Sequence, residues 1–180
     1  MKKLLQSFTT LSLILLVSNS CKKIDKFTQF NMDFNNEITI PSSTGINLPI
    51  NLLTPEVETN SESTFEVNDT RKDLIEEIRL NSLILTLDSP NNADFSFLES
   101  ISVYMNAQDL PEVEIAWKDN VPEDAGSQIS LNVSNQDFKE YIKKDEFILR
   151  VNTITDEILT SDHKINIASD FFIDAKILGL

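Results

Sequence analysis

From residue 27 onward the apolar positions recur mostly every second residue, the period of a β-strand with one buried face. Phe30, Met32 and Phe34 alternate with Asn31 and Asp33; past Asn35 and Asn36 the same phase resumes at Ile38 and Ile40. Pro41, Ser42, Ser43, Thr44 and Gly45 then predict a turn. Ile46, Leu48, Ile50 and Leu52 form the clearest alternation in the chain. Pro49 has no N–H to donate and so predicts a sheet edge or a bulge there. Residues 56–67 are polar and acidic and predict a hairpin turning near Asn60 and Ser61. A short helix is expected next, capped by Asp69 or Thr70, because Leu74, Ile75 and Ile78 have helical spacing.

Residues 80–87 lose strict alternation and become nearly continuously apolar, the pattern of a central strand covered on both faces. Turn chemistry follows from Asp88 to Asn92. Phe95, Phe97 and Leu98 predict one helical turn or a bulged start to a strand carrying Ile101, Val103 and Met105. After a turn at residues 108–111, Val113, Ile115 and Trp117 alternate, residues 118–126 form a long loop, and Ile129, Leu131 and Val133 restart the sheet. Ser134 or Asn135 is expected to cap a second short helix carrying Phe138, Tyr141 and Ile142, with Lys143 and Lys144 complementing its negative C-terminal end. Phe147, Leu149 and Val151 predict another strand, and Ile165 through Ile177 one or two more. Seven to ten short strands without long amphipathic helices or βαβ spacing predict a mainly β fold. The expected architecture is an antiparallel β-sandwich, immunoglobulin-like or jelly-roll-like, with one or two short helices.

The first twenty-one residues follow a different rule. Lys2 and Lys3 precede an apolar stretch, residues 4–17, and small polar residues follow, the layout of a secretory signal. The strongly apolar run, residues 11–17, is too short for a transmembrane helix, which needs about 20 apolar residues. Ser18, Asn19, Ser20 and Cys21 resemble the lipobox of bacterial lipoproteins, with Ser18 where a leucine is usual, as in lipoproteins of the Bacteroidota. The resemblance implies cleavage before Cys21 and several acyl chains on that one residue, which would anchor the protein stably. Cys21 is the only cysteine in the chain, so it has no intramolecular disulfide partner. The rhythm of residues 79–178 is also similar to small β-sandwich lipoproteins of that phylum, a resemblance that names no activity. The expected organisation is a signal peptide at 1–20, a lipidated cysteine with a short tether at 21–26, and one β-sandwich domain at 27–180, held at the outer membrane.

Charge sharpens that division. The chain carries 15 basic and 29 acidic residues, a formal charge of −14. The tether holds Lys22, Lys23 and Lys26, a basic foot that adds attraction if the lipid is anionic. Without the five lysines and one aspartate of residues 1–26, 10 basic and 28 acidic residues remain, a formal −18. Such a balance opposes nucleic-acid binding, which selects basic faces.

Candidate chemistry is sparse. His163 is the only histidine, and no serine sits in a nucleophile-elbow motif. One cysteine and one histidine cannot assemble a zinc site. With 3 glycines in the chain, a phosphate-cradling loop has no material. Calcium requires only carboxylates and carbonyls, and two loops supply them through Asp88 and Asp94, and Asp119 and Asp124. Neither loop follows the EF-hand order, and Asp and Asn also favour turns for backbone reasons. Trp117 and Tyr104 are candidates for a sugar-stacking platform, although alternation with Val113 and Ile115 directs Trp117 toward the core. The sequence therefore predicts a non-enzymatic, lipid-anchored envelope protein that binds or assists a partner protein or glycan. The alternatives are a carbohydrate-binding surface lipoprotein and a calcium-stabilised adhesion module.

Overall fold

The computed structural model describes residues 29–176; the signal, Cys21 and the tether lie outside the described residues. Ten strands form two antiparallel sheets packed face to face, a β-sandwich. The four-stranded sheet has the order β1 (Gln29–Ile40), β10 (His163–Ala175), β4 (Ile75–Ser89), β7 (Gln128–Ser130). The six-stranded sheet has the order β2 (Ile50–Leu53), β9 (Glu146–Thr155), β5 (Leu98–Ala107), β6 (Val113–Asp119), β8 (Asn132–Val133), with β3 (Val57–Glu58) also paired to β9. Only Leu131 separates β7 from β8, so the chain steps from one sheet to the other there and closes that side of the sandwich.

The core is made by the alternation that the sequence displays. Met32, Phe34, Ile38 and Ile40 of β1, Ile165, Ile167, Phe171 and Ile173 of β10, and Leu149 and Val151 of β9 all point inward and are buried. Phe34 joins the layers, meeting Phe147 of the opposite sheet edge-on at 5.2 Å and Phe171 of its own sheet at 5.8 Å. Asn35 and Asn36 do not interrupt β1, which pairs with β10 in unbroken register from Gln29 to Ile40. Leu83 and Leu85 of β4 are buried, but Ile84 is only half-buried, so β4 is interior to its sheet without being covered on both faces.

Further expectations require correction. Residues 56–67 are not a hairpin: after the two residues of β3 the chain turns into α1 (Ser61–Val67), with Phe65 buried against Phe30. Thr59 fixes this path, its hydroxyl donating to the Lys144 carbonyl at 2.6 Å. Asp69 and Thr70 cap no helix; a single 3-10 turn at Lys72–Leu74 runs straight into β4. Ile75 and Ile78 are both buried in β4 because a bulge sits between them, so a spacing of three residues here comes from a strand with an extra residue. Ile46 and Leu48 precede β2 and are exposed, leaving only the second half of that alternation as strand.

The second helix, α2 (Lys139–Ile142), exists but starts later than expected. Asp137 caps it by accepting from Lys139 N–H, not Ser134 or Asn135. The sandwich has two distinct ends. Gln29 lies opposite Asp174, so the outer ends of β1 and β10 and both helices share one end. At the other lie the loops spanning residues 41–49, 90–94, 120–127 and 156–162.

Candidate functional site

The outer face of the six-stranded sheet gathers the sequence's aromatic candidates. Regular alternation from Val113 would send Ile115 and Trp117 inward. A bulge in β6, where the register with β5 shifts between Val103 and Tyr104, instead places Ile115 and Ala116 both in the core. The extra residue reverses the phase, and Trp117 emerges half-buried on the outer face. Tyr104 is on that face of β5, opposite Glu114 rather than Trp117.

Trp117 belongs to a row that crosses five strands. Asn51 of β2 lies opposite Asn152 of β9, Asn152 opposite Ser102 of β5, Ser102 opposite Trp117, and Trp117 opposite Asn132 of β8. The row is one indole among three amides and a hydroxyl, without a charged side chain. Asn152 Nδ2 donates to Asn51 Oδ1 at 3.0 Å, which orders the two amides and leaves donor capacity on Asn51 and both donor and acceptor capacity on Asn152.

The adjacent row is Leu53, Arg150, Tyr104 and Glu114. Arg150 is its centre. Its Nε and Nη2 donate to the two carboxylate oxygens of Glu112 at 2.9 and 2.7 Å, and Nη1 donates to Asn51 Oδ1 at 2.7 Å. Its guanidinium carbon lies 4.1 Å from the Tyr104 ring centroid. The Arg150 hydrogen bonds, against a smaller opposing effect of burial, hold the Glu112 carboxyl below its usual range. Tyr104 thus carries a cation on its ring and acts as a fixed wall beside the Trp117 row. Sequence inspection paired Tyr104 with Trp117 but missed Arg150, Asn51 and Asn152. Only strand register brings those together, since Asn51 and Asn152 are 101 residues apart.

The acidic candidates lie elsewhere. Asp88 and Asp94 line one shallow depression with Asn92 and Ser127 at the loop end. Asp119 ends β6, opposite Ser100, and Asp124 belongs to the loop that follows, which is joined to the neighbouring segment through Phe95 N–H to Gly126 O at 3.1 Å. Asp94 caps the following 3-10 turn, its Oδ1 accepting from Ser96 N–H at 3.1 Å, and hydrogen bonding from the Ser96 hydroxyl and then its N–H lowers the Asp94 pKa. Among the described residues no three His, Cys, Asp or Glu side chains are grouped closely enough to hold a metal ion. His163 opens β10, buried against the Phe97 ring at 4.6 Å, with Nδ1 2.9 Å from Ser161 O. None of the described helices is long and apolar enough to cross a membrane.

No protein-family model matches the sequence, and no curated protein matches it. Solved structures resemble it in architecture. A carbohydrate-binding module, CpGH89CBM32-5 from Clostridium perfringens, in complex with GalNAc-β-1,3-galactose, is 8% identical with a TM-score of 0.35, covering 80% of this chain and 97% of that one. FlhE is 9% identical with a TM-score of 0.31, covering 82% and 97%. A turnip yellow mosaic virus structure is 9% identical with a TM-score of 0.27, covering 84% and 98%. At these values the likenesses carry no argument about what this chain binds.

Proposed function

We propose that this protein is a non-enzymatic binding module of the bacterial envelope, anchored by lipid on Cys21, whose outer sheet face takes a neutral glycan. One observation carries the glycan reading: the β6 bulge turns Trp117 outward into an uncharged row of Asn51, Asn152, Ser102 and Asn132. An indole face covers the apolar C–H side of a sugar ring, and amides and hydroxyls match its ring of donors and acceptors. Arg150 is already occupied by Glu112 and Tyr104, which favours an uncharged sugar over an anionic one.

Trp117 is the only tryptophan, so intrinsic fluorescence reads the site directly. The full chain in detergent micelles should change its emission on titration with neutral oligosaccharides such as galactose disaccharides or N-acetylglucosamine oligomers. Calorimetry should show the binding lost in Trp117→Ala. A panel of neutral sugars that leaves both emission and heat unchanged at millimolar concentration overturns the glycan reading. The anchor is tested separately: Cys21→Ser should move the protein from the membrane fraction to the soluble one. A fully membrane-bound Cys21→Ser protein overturns lipid anchoring.

A further inference from the structure

The loop end of the sandwich exposes apolar side chains in a setting that selects a partner. Ile46, Leu48 and Ile158 are 38%, 60% and 71% exposed, three of the five large hydrophobics found exposed among the described residues. They stand on two loops that are fastened together. Asn47, in the left-handed region at φ 55°, donates its N–H to the Thr155 carbonyl at 2.8 Å. Ser42 N–H donates to Asp162 Oδ1 at 2.8 Å, and Asp156 N–H to the Phe97 carbonyl at 3.1 Å. Leu48 is seated as well: a Cβ on Gly45 would come within 2.9 Å of its Cδ1. The hydrogen bonds hold the two loops side by side, so the three side chains are presented at one end of the sandwich, and a contiguous exposed apolar patch marks an interaction site.

Charge identifies what covers it. Residues 41–49 contain no charged side chain, while the facing loop contributes Asp156, Glu157 and Asp162 and no base. The basic residue closest in sequence to these loops, Lys164, lies 2.8 Å from the Glu37 carboxylate, which offsets its charge. A second copy would set this acidic rim against itself, and an anionic bilayer would be repelled. We infer that Ile46, Leu48 and Ile158 form a docking surface for a protein segment that carries apolar side chains between basic ones. This surface is separate from the Trp117 face and does not depend on the glycan reading.

The test uses the full chain, isotope-labelled and in micelles, with three synthetic peptides of equal length: alternating Leu and Lys, alternating Leu and Glu, and alternating Ser and Lys. Amide shifts confined to residues 42–48 and 155–162 should appear with the Leu/Lys peptide and be absent with the other two. Leu48→Ser and Ile158→Ser should each weaken that binding about tenfold, the scale of one buried aliphatic side chain. Both positions are exposed, so neither substitution threatens folding, and an unchanged thermal midpoint checks this. Equal binding of the Ser/Lys peptide overturns the proposal, because charge alone then suffices. Binding unaffected by both substitutions, shifts located elsewhere, or self-association that Leu48→Ser abolishes would each overturn it too.

Discussion

Asp137 is one side chain serving two elements, and its removal gives a measurable test of how α2 is held. Its Oδ1 accepts from Ile78 N–H in β4 and from Lys139 N–H at the start of α2, both at 3.0 Å, while Phe138 N–H returns a bond to Ile78 O at 2.7 Å. Ile78 is fully buried, so Asp137→Ala leaves its N–H unpaired, at a cost of about 1–3 kcal/mol. Loss of the cap on Lys139 N–H adds about 1 kcal/mol. Asp137 is about a third exposed, which lets water relieve part of the loss. The net expectation is roughly 2–3 kcal/mol at pH 7, or about 5–10 °C in Tm for a domain of this size. Asp137→Asn keeps an acceptor oxygen and loses the charge, so its cost should be about 1 kcal/mol. Urea and thermal melts followed by circular dichroism measure both.

The same residue fixes a pH dependence. Burial favours the neutral acid, but the two N–H donors and the Lys139 ammonium outweigh it and hold the carboxyl below its usual range. A depressed folded pKa means the stabilisation is complete above the unfolded carboxylate pKa and is lost as pH falls through the folded one. The gap between wild type and Asp137→Asn should therefore close on acidification. An alanine variant within about 0.5 kcal/mol of wild type, or an asparagine variant as damaged as the alanine one, would sink the account.

Phe171→Ala removes the ring that touches both Phe34 and Phe138 and should cost about 3–5 kcal/mol in urea unfolding; a cost near 1 kcal/mol would mean the layers close without it. Glu112→Ala breaks the fork to Arg150 at a partly exposed site and should cost about 1 kcal/mol or less. Its clearer signature is pH: because Glu112 is held low, that contribution is present at neutral pH and disappears on acidification, so a pH-independent difference contradicts it. The Lys164–Glu37 pair is half-exposed at both partners. It should add a small stabilisation that 1 M salt removes, and a salt-insensitive effect of Lys164→Ala would assign that residue another role.

The layered β architecture was legible because β1, β5, β9 and β10 bury every second residue over most of their length, and nothing but a half-buried sheet does that. What stayed hidden traces largely to bulges. In β4 the buried residues Ile75, Ile78, Leu80, Leu83 and Leu85 take steps of three at two places. At Ile75 to Ile78 and Leu80 to Leu83 the step contains an irregularity in register with β10. A step of three is also a helical step, so the start of β4 resembled a helix. In β6 the opposite error arose: a pattern with perfect period two concealed a phase reversal, and Trp117 faces outward in spite of it. The α1 segment was hidden for another reason. Its sole buried apolar residue is Phe65, and the contact that fixes its approach, Thr59 to Lys144, spans 85 residues of sequence. Of the candidate face, two aromatic residues could be named in advance, and the amide row could not.

The unbroken ladder between β1 and β10 has a mechanical consequence. A pull between Gln29 and the loop end runs along the strands, so all twelve residue pairs from Gln29–Asp174 to Ile40–His163 bear the load together, in shear. A pull that separates Gln29 from Ala175 at their shared end instead opens the ladder one pair at a time, like a zipper. The molecule is built to be strong along one axis and weak across it, and single-molecule extension in the two geometries would report that anisotropy as a difference in rupture force.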